Sequence, residues 1–95
     1  MRVLIIGGTG FIGSYIVDSF IAEGISPTLL NRGSKILPHL NTIFCDRKNL
    51  SCIRAIHETF DVVVDTCSFS KTDSEHAYRY LGGPDTAWIQ ISSAS

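Results

Sequence analysis

Three glycines near the start of the chain are spaced as in sites that hold a phosphate group. They are Gly7, Gly10 and Gly13, in the pattern G-x-x-G-x-x-G, and they directly follow the apolar run of residues 3–6. Gly7 allows a tight turn, Gly10 allows the backbone to approach a bound group, and Gly13 allows a helix to pack closely on a strand. The first N–H groups of such a helix have no partners within it, and with the helix dipole they favour a phosphate. We therefore predict that this end of the chain binds a nucleotide.

The glycine turn needs a strand before it and a helix after it, and the spacing of apolar residues predicts both. The same patterns predict strands at residues 3–6, 27–30, 42–45, 61–66 and 87–92, and helices at 11–23, 49–60 and 71–81. Short strands that alternate with helices predict an α/β doubly wound parallel sheet with right-handed crossovers. Sheets of this kind bind ligands outside the carboxyl ends of their strands.

The first helix is expected to face the sheet through an apolar stripe. Ile12, Ile16 and Phe20 recur every fourth residue, and Val17 and Ile21 widen the stripe. We also expect the fifth strand to be buried, with the single tryptophan of the chain in the core.

Length, composition and charge limit the classes of protein to consider. The 95 residues suit one small domain, and a hydrophobic content of 44% is enough for a core. A net charge of −1 argues against a general nucleic-acid binder or a protein of anionic membrane surfaces. No apolar run approaches the ~20 residues of a membrane span, and Met1 leads directly into the first strand. We expect a soluble, cytoplasmic protein.

The cysteines are Cys45, Cys52 and Cys67, an odd number without a C-x-x-C pair. This pattern argues against a disulfide framework and against a structural zinc site. A reducing compartment and no bound metal are the corresponding expectations.

The segment Gly7-Gly8-Thr9-Gly10-Phe11-Ile12-Gly13 resembles the glycine motif of the extended short-chain dehydrogenase/reductase family, the NAD-dependent epimerase/dehydratase group. The resemblance continues at the ends of the later predicted strands, in Asn31-Arg32-Gly33, Cys45-Asp46-Arg47, Val63-Val64-Asp65-Thr66 and Ile91-Ser92-Ser93-Ala94-Ser95. It covers the whole chain and implies a Rossmann-like sheet of five strands in the order 3-2-1-4-5.

The resemblance also implies that the chain is part of a larger unit. Residue 95 comes soon after the fifth predicted strand, so we expect residues 1–95 to be the N-terminal part of a dinucleotide-binding Rossmann domain. The later strands and the substrate domain would then be missing. An uncovered edge on the fifth strand would favour association, and a homo-oligomer is one expected state.

By resemblance, the glycine turn holds the pyrophosphate of a nicotinamide dinucleotide. The residues implied in this role are Gly7, Gly10, Phe11, Ile12 and Gly13, with Thr9 shaping the turn and capping the helix.

Relatives usually carry an acidic residue after the second strand, which binds the adenine ribose of NAD. Here Asn31 and Arg32 occupy that region, with Ser34 close behind. An arginine offers a planar set of donors to a phosphate and gives a bare 2′-OH no carboxylate partner, so NADP is expected, with NAD as the alternative. The competing interpretation of Arg32 is a solvated loop charge.

Two further strand ends are implied in cofactor binding. Asp46, followed by Arg47, corresponds to the family's acid near the adenine amino group; the alternative is a loop aspartate that caps the following turn. Thr66 corresponds to the position where the chain of relatives runs beside the cofactor ribose, a contact made mainly by the backbone.

Ser93 corresponds to the serine or threonine of the family's catalytic Ser-Tyr-Lys set. Its hydroxyl would bind the substrate oxygen while a tyrosinate moves the proton; the alternative is a strand-end hydroxyl bonded to the backbone. The Tyr-x-x-x-Lys of relatives is absent, and neither Tyr78 nor Tyr80 replaces it.

The resemblance thus implies the NAD(P)-binding portion of an oxidoreductase or a sugar-nucleotide epimerase/dehydratase. Its substrate would be a small molecule, with a nucleotide-sugar as one candidate. The alternatives are a non-catalytic NADP-binding sensor or scaffold module, and a remnant of the fold that binds nothing.

Overall fold

The computed structural model describes residues 1–7, 11–31, 40–46, 48–66 and 71–91, except for the side chains of residues 11, 71 and 73. The strands are β1 (Val3–Ile6), β2 (Thr28–Asn31), β3 (Thr42–Phe44), β4 (Val62–Asp65) and β5 (Ala87–Gln90). The helices are α1 (Phe11–Ala22), α2 (Leu50–Arg54) and α3 (Lys71–Leu81).

All five strands are parallel and lie in the order β3-β2-β1-β4-β5, which confirms the predicted sheet. β1 is the central strand, and Ile5 lies between Leu29 of β2 and Val64 of β4. Every residue of β1 is buried, as expected for a strand with a neighbour on each side and helices on both faces.

Successive residues of β1 contribute to two separate hydrophobic clusters, because side chains alternate between the faces of a strand. Val3 and Ile5 pack in the cluster that includes Val17 of α1. Leu4 and Ile6 pack on the other face, in the cluster that includes residues of α2 and α3. The sheet is therefore covered by α1 on one face and by the two later helices on the other.

The face of α1 that meets the sheet is narrower than predicted. Gly13 and Val17 are buried, and Phe20 packs partly against the sheet. Ile12 and Ile21 are 47% and 39% exposed, so their predicted place in the buried stripe is wrong. At about 100° per residue, Ile12 lies about 120° from the centre of the face formed by Gly13 and Val17, and Ile21 lies about 60° from it on the other side.

α2 is shorter than the predicted helix over residues 49–60. The side chain of Asn49 caps it by accepting from two backbone N–H groups of the first turn, at 3.0 and 3.4 Å. The chain then leaves the helix and carries the buried Phe60 to the amino end of β4. There the backbone N–H of Asp61 donates to the carbonyl of Arg2 at 2.8 Å. A helix that continued through residue 60 would leave too little chain to reach this alignment.

β5 is not the buried strand that its composition predicts. Ile89 is 47% exposed, and only Trp88 is half-buried within the strand. The tryptophan ring meets the edge of Tyr78 from α3 at a centroid distance of 5.4 Å. Within the described part of the chain, β5 pairs with β4 alone. A strand with one neighbour buries less of its surface than one in the middle of the sheet.

Cys45 and Cys52 are joined by a disulfide, with their Cα atoms 5.9 Å apart. The expectation that the cysteines form no disulfide is therefore wrong for this pair. The chain reverses between β3 and α2, which brings the two residues within the Cα separation that a disulfide requires. Cys67 lies outside the described residues.

Candidate functional site

The carboxyl ends of β1, β2, β3 and β4 meet at one edge of the sheet. Gly7 follows β1, Asn31 ends β2, Asp46 lies two residues after β3, and Thr66 follows β4. The structure thus brings together four predicted site residues that are far apart in the sequence. Six other predicted residues lie outside the described residues: Thr9, Gly10, Arg32, Ser34, Arg47 and Ser93.

Gly7 turns the chain out of the sheet. Its φ of 82° lies in the left-handed region that side chains other than glycine's rarely adopt. Its N–H donates to the carbonyl of Leu30 in β2 at 2.9 Å, which holds the start of the turn against the neighbouring strand. The role predicted for this glycine, a tight turn after the first strand, is present in the structure.

α1 begins shortly after that turn, at Phe11, and its first turn contains no acidic residue. The unpaired N–H groups of its start and the positive end of its dipole form an environment that favours an anion. Gly13 is buried, whereas Ile12 is largely exposed at the start of the helix. The binding roles predicted for these residues depend on the backbone, and they stay predictions.

Thr66 fastens the end of β4 to the end of β1 beside the glycine turn. Its hydroxyl Oγ1 lies 2.7 Å from the carbonyl oxygen of Ile6 and 3.2 Å from that of Gly7. Its backbone N–H also donates to Ile6, at 3.1 Å. The hydroxyl has one proton, and a backbone carbonyl accepts it, so this oxygen can only accept from a ligand. Sequence reasoning assigned Thr66 a backbone contact and missed this positioning role of its side chain.

Asp65 is an ionisable residue that the predicted site omits. It ends β4, pairs in register with Ile6 of β1, and is fully buried. An acidic side chain at this edge is a candidate functional group, because ligands of parallel α/β sheets bind outside the carboxyl ends of the strands. The signal in the sequence is an aspartate that closes a run of three valines.

Asn31 and Asp46 lie at the ends of the two outer strands beyond β1. Asn31 is buried, and its carbonyl accepts from the N–H of Cys45 at 2.8 Å. The Asp46 carboxylate oxygen Oδ1 accepts from the N–H of Lys48 at 2.9 Å. The turn-capping role considered for Asp46 is therefore present, and it uses one of the two carboxylate oxygens. The adenine contact stays a prediction.

The described residues contain neither a group of metal ligands nor a membrane-spanning helix. No three side chains of the His, Cys, Asp or Glu types are grouped there so that they could hold a metal ion. None of the helices in those segments is both long enough and apolar enough to cross a membrane.

A parallel sheet in the order 3-2-1-4-5, with a left-handed glycine between its first strand and first helix, defines a Rossmann-like protein. The sequence matches the profile of the NAD dependent epimerase/dehydratase family over residues 3–81. The chain belongs to this family. No curated protein sequence matches it.

Solved structures show the same fold. A short-chain dehydrogenase/reductase (wide type) from Veillonella parvula in complex with NADP has a TM-score of 0.79 and 18% identity, over 98% of this chain and 48% of that one. A putative epimerase from Burkholderia cenocepacia has a TM-score of 0.76 and 19% identity, over 98% and 37%. A UDP-N-acetylglucosamine 4-epimerase from Bacillus cereus has a TM-score of 0.62 and 25% identity, over 85% and 29%. The chain thus spans less than half the length of these proteins.

Proposed function

We propose that the chain is the NADP-binding portion of an extended short-chain dehydrogenase/reductase-like oxidoreductase or sugar-nucleotide epimerase/dehydratase. The observation that carries this proposal is the positive φ of 82° at Gly7, which lies between the central strand and the start of α1. Family membership supports a nicotinamide dinucleotide as the ligand.

The described residues fit such a cofactor. The start of α1 and the Gly7 turn would hold the pyrophosphate. The backbone near Thr66 would lie beside the ribose on the nicotinamide side, and Asp46 would accept a hydrogen bond from the adenine amino group. When bound, the cofactor supplies hydride transfer. The residues of this chain would bind and orient it, while Thr66 keeps the ends of β1 and β4 together under it.

The preference for NADP over NAD belongs to the same proposal. Its support is the residue types after β2, where Asn31, Arg32 and Ser34 stand in place of the acid usual in relatives. A guanidinium can donate two parallel hydrogen bonds to a 2′-phosphate. NADP in the Veillonella protein shows that one protein of this fold binds that cofactor.

The proposed reaction needs groups beyond the residues described. We assign Ser93 to the substrate oxygen and residues 1–95 to the N-terminal part of the domain. The share of the neighbouring structures that the chain covers, 29% to 48%, supports this division. Similarity to a UDP-N-acetylglucosamine 4-epimerase supports a nucleotide-sugar substrate. The Cys45–Cys52 disulfide favours one alternative, an NADP-binding sensor without turnover.

Replacing Gly7 by alanine is expected to weaken NADPH binding by about tenfold or more. The reason is that a Cβ in the left-handed region costs roughly 1–2 kcal/mol, which the chain relieves by rotating the turn away from its binding geometry. The dissociation constant is measured from the change in NADPH fluorescence on titration.

Gly24→Ala is the matched control for this prediction. Gly24 has a φ of 79°, no atom lies within 4 Å of its added Cβ, and it is at the far end of α1. Both variants should lose similar stability on heating, but only Gly7→Ala should lose affinity. Equal affinities in the two variants would show that the turn does not bind the cofactor.

Replacing Arg32 by aspartate is expected to reduce the ratio of NADPH to NADH affinity by about tenfold or more, because charge-assisted hydrogen bonds are worth about 1.5–3 kcal/mol. The two dissociation constants are measured on the same preparation. Arg79→Asp on the exposed side of α3 changes the net charge equally and should leave the ratio unchanged. A constant ratio in Arg32→Asp would refute the assignment of Arg32.

A further inference from the structure

The disulfide between Cys45 and Cys52 closes a small ring at the binding edge of the sheet. Cys45 directly follows β3, and Cys52 lies in α2, seven positions further along the sequence. The ring therefore encloses Asp46, the residue that the proposed function places at the adenine. A change at these two sulfurs acts on the segment that carries this carboxylate.

Hydrogen bonds within the ring converge on Asp46 and Asn49. The carbonyl of Asp46 accepts from the N–H of Asn49 at 2.8 Å, and its Oδ1 accepts from the N–H of Lys48 at 2.9 Å. The Oδ1 of Asn49 accepts from the N–H of Ser51 at 3.0 Å. These bonds connect Asp46 with the residues at the start of α2, and the disulfide joins Cys45 to α2 as well.

One backbone carbonyl lies close to both sulfurs. The carbonyl oxygen of Asp46 lies 3.6 Å from the Sγ of Cys45 and 3.6 Å from the Sγ of Cys52. A disulfide sulfur carries no proton, whereas a thiol can donate a weak hydrogen bond at this distance. On reduction, the two sulfurs must separate to van der Waals contact, and each thiol has this carbonyl oxygen as a nearby acceptor.

Access to the two sulfurs is unequal. Cys45 is only 5% exposed, whereas Cys52 is half-buried. Thiol–disulfide exchange requires a thiolate to reach a sulfur in line, so the accessible sulfur reacts first. Exchange with a reagent in solution therefore begins at Cys52.

We propose that Cys45 and Cys52 form a reversible redox site that reacts with low-molecular-weight thiols and disulfides of the glutathione class. Its disulfide state restricts the described residues 45, 46 and 48–52, and its dithiol state loosens them. The effect on cofactor affinity, through Asp46, rests on the proposed function; the effect on the loop does not.

Oxidation of the two thiols to the disulfide takes two exchange steps. The Cys52 thiolate attacks a disulfide RSSR, which forms a mixed disulfide with Cys52 and releases one RS⁻. The Cys45 thiolate then attacks the Sγ of Cys52, the S–S bond to R breaks, and a second RS⁻ leaves. Two electrons pass from the protein sulfurs to RSSR, and the two protein protons end on the released thiols. An excess of RSH reverses both steps.

The bond itself is tested by digestion of protein equilibrated with oxidised or reduced glutathione and then blocked with an alkylating reagent. Arg47 and Lys48 lie between the two cysteines, so trypsin separates peptides 36–47 and 49–54. Mass spectrometry should find these peptides linked in the oxidised sample and separate, with both thiols alkylated, in the reduced one. Two alkylated peptides in both samples would overturn the proposal.

The effect on the loop is tested by amide hydrogen exchange on the same two samples. We expect the amides of residues 48–52 to exchange about tenfold more slowly in the disulfide state, because the bond limits local opening. Amides of β1 should be unaffected. Equal rates for residues 48–52 in the two states would overturn the proposal even if the disulfide forms.

Two variants test whether the linked peptides and the redox-dependent exchange rates are due to Cys45 and Cys52. The Cys67→Ser background excludes exchange with the third cysteine, and adding Cys52→Ser should abolish both the linked peptides and the dependence of the exchange rates on redox state. A dependence that persists in the double variant would contradict the assignment.

Titration with NADPH then separates this inference from the proposed function. A dissociation constant that differs about fivefold or more between the two states supports control of the cofactor site through Asp46, since coupling between two sites is typically of this size or larger. Equal affinities would overturn that part of the inference. No binding in either state, with loop exchange still redox-dependent, would refute the proposed function and leave the redox site supported.

Discussion

Truncation of Ile5 to alanine is expected to lower the free energy of unfolding by about 3–4 kcal/mol. Ile5 is fully buried in β1, with Leu29 and Val64 beside it on the neighbouring strands. Its side chain packs in the cluster between the sheet and α1. Removing it loses the transfer free energy of the deleted carbons, and the two neighbouring strands cannot close the cavity because their register is fixed by hydrogen bonds.

Ile89→Ala provides the matched control, since it makes the same change in another strand of the same sheet. Ile89 is 47% exposed on β5, so its truncation should cost less than about 1 kcal/mol. Urea unfolding of both variants measures the difference at the midpoint. A typical domain has about 5–15 kcal/mol of stability in total, so the Ile5 variant should show a markedly lower midpoint. Similar midpoints for the two variants would contradict the central position of β1.

Reduction of the Cys45–Cys52 disulfide is expected to lower the free energy of unfolding by about 2–3 kcal/mol. The value comes from the loop-closure entropy of the unfolded chain for a ring of about eight residues. For a domain of this size the loss corresponds to a fall in Tm of roughly 10–15 °C. Thermal unfolding followed by circular dichroism, with and without a phosphine reductant, measures the shift.

Cys52→Ser tests whether this shift belongs to the disulfide. The variant should melt near the temperature of the reduced wild-type protein, and the reductant should not change its Tm. Cys67→Ser should retain the full shift, because the Cys45–Cys52 bond does not involve that residue. A Tm of the wild-type protein that does not respond to reduction would show that the bond adds no stability.

The parts of the fold that could be predicted are those with strong local signals. The apolar run before Gly7 predicts β1, because a strand buried on both faces has no polar alternation. The polar helix over residues 71–81 has the predicted bounds. The order of the strands follows from the family resemblance and the handedness of crossovers, and it is confirmed.

The wrong predictions concern properties that depend on distant parts of the chain. The periodicity of apolar residues predicted a second helix that extends to residue 60. In the structure the helix ends at Arg54, and Phe60 is buried just before β4, outside the helix. The composition of β5 could not indicate whether a strand lies on each side of it. The number of cysteines could not indicate that the turn after β3 brings Cys45 and Cys52 to a Cα separation of 5.9 Å.

In the candidate site too, features with a local cause could be predicted, whereas features that depend on distant residues could not. The turn at Gly7 was predictable, because the glycine spacing has a direct steric cause and the positive φ is present. The hydrogen bond from Thr66 to Ile6 was not, because it joins residues sixty positions apart. The same is true of the full burial of Asp65, which depends on strands and helices that pack around β4.

The pairing of β1 with β4 has a consequence for the order in which the molecule assembles. The N–H of Arg2 bonds to Asp61, fifty-nine positions away, and Val3 pairs with Val62 just beyond. Closing so long a loop costs chain entropy before any contact between its ends forms, and topologies with many such distant contacts fold slowly. During synthesis, the edge of β1 that pairs with β4 therefore stays without its partner until residues 61–65 have been made. Its exposed edge is the feature that a chaperone would have to protect in the meantime.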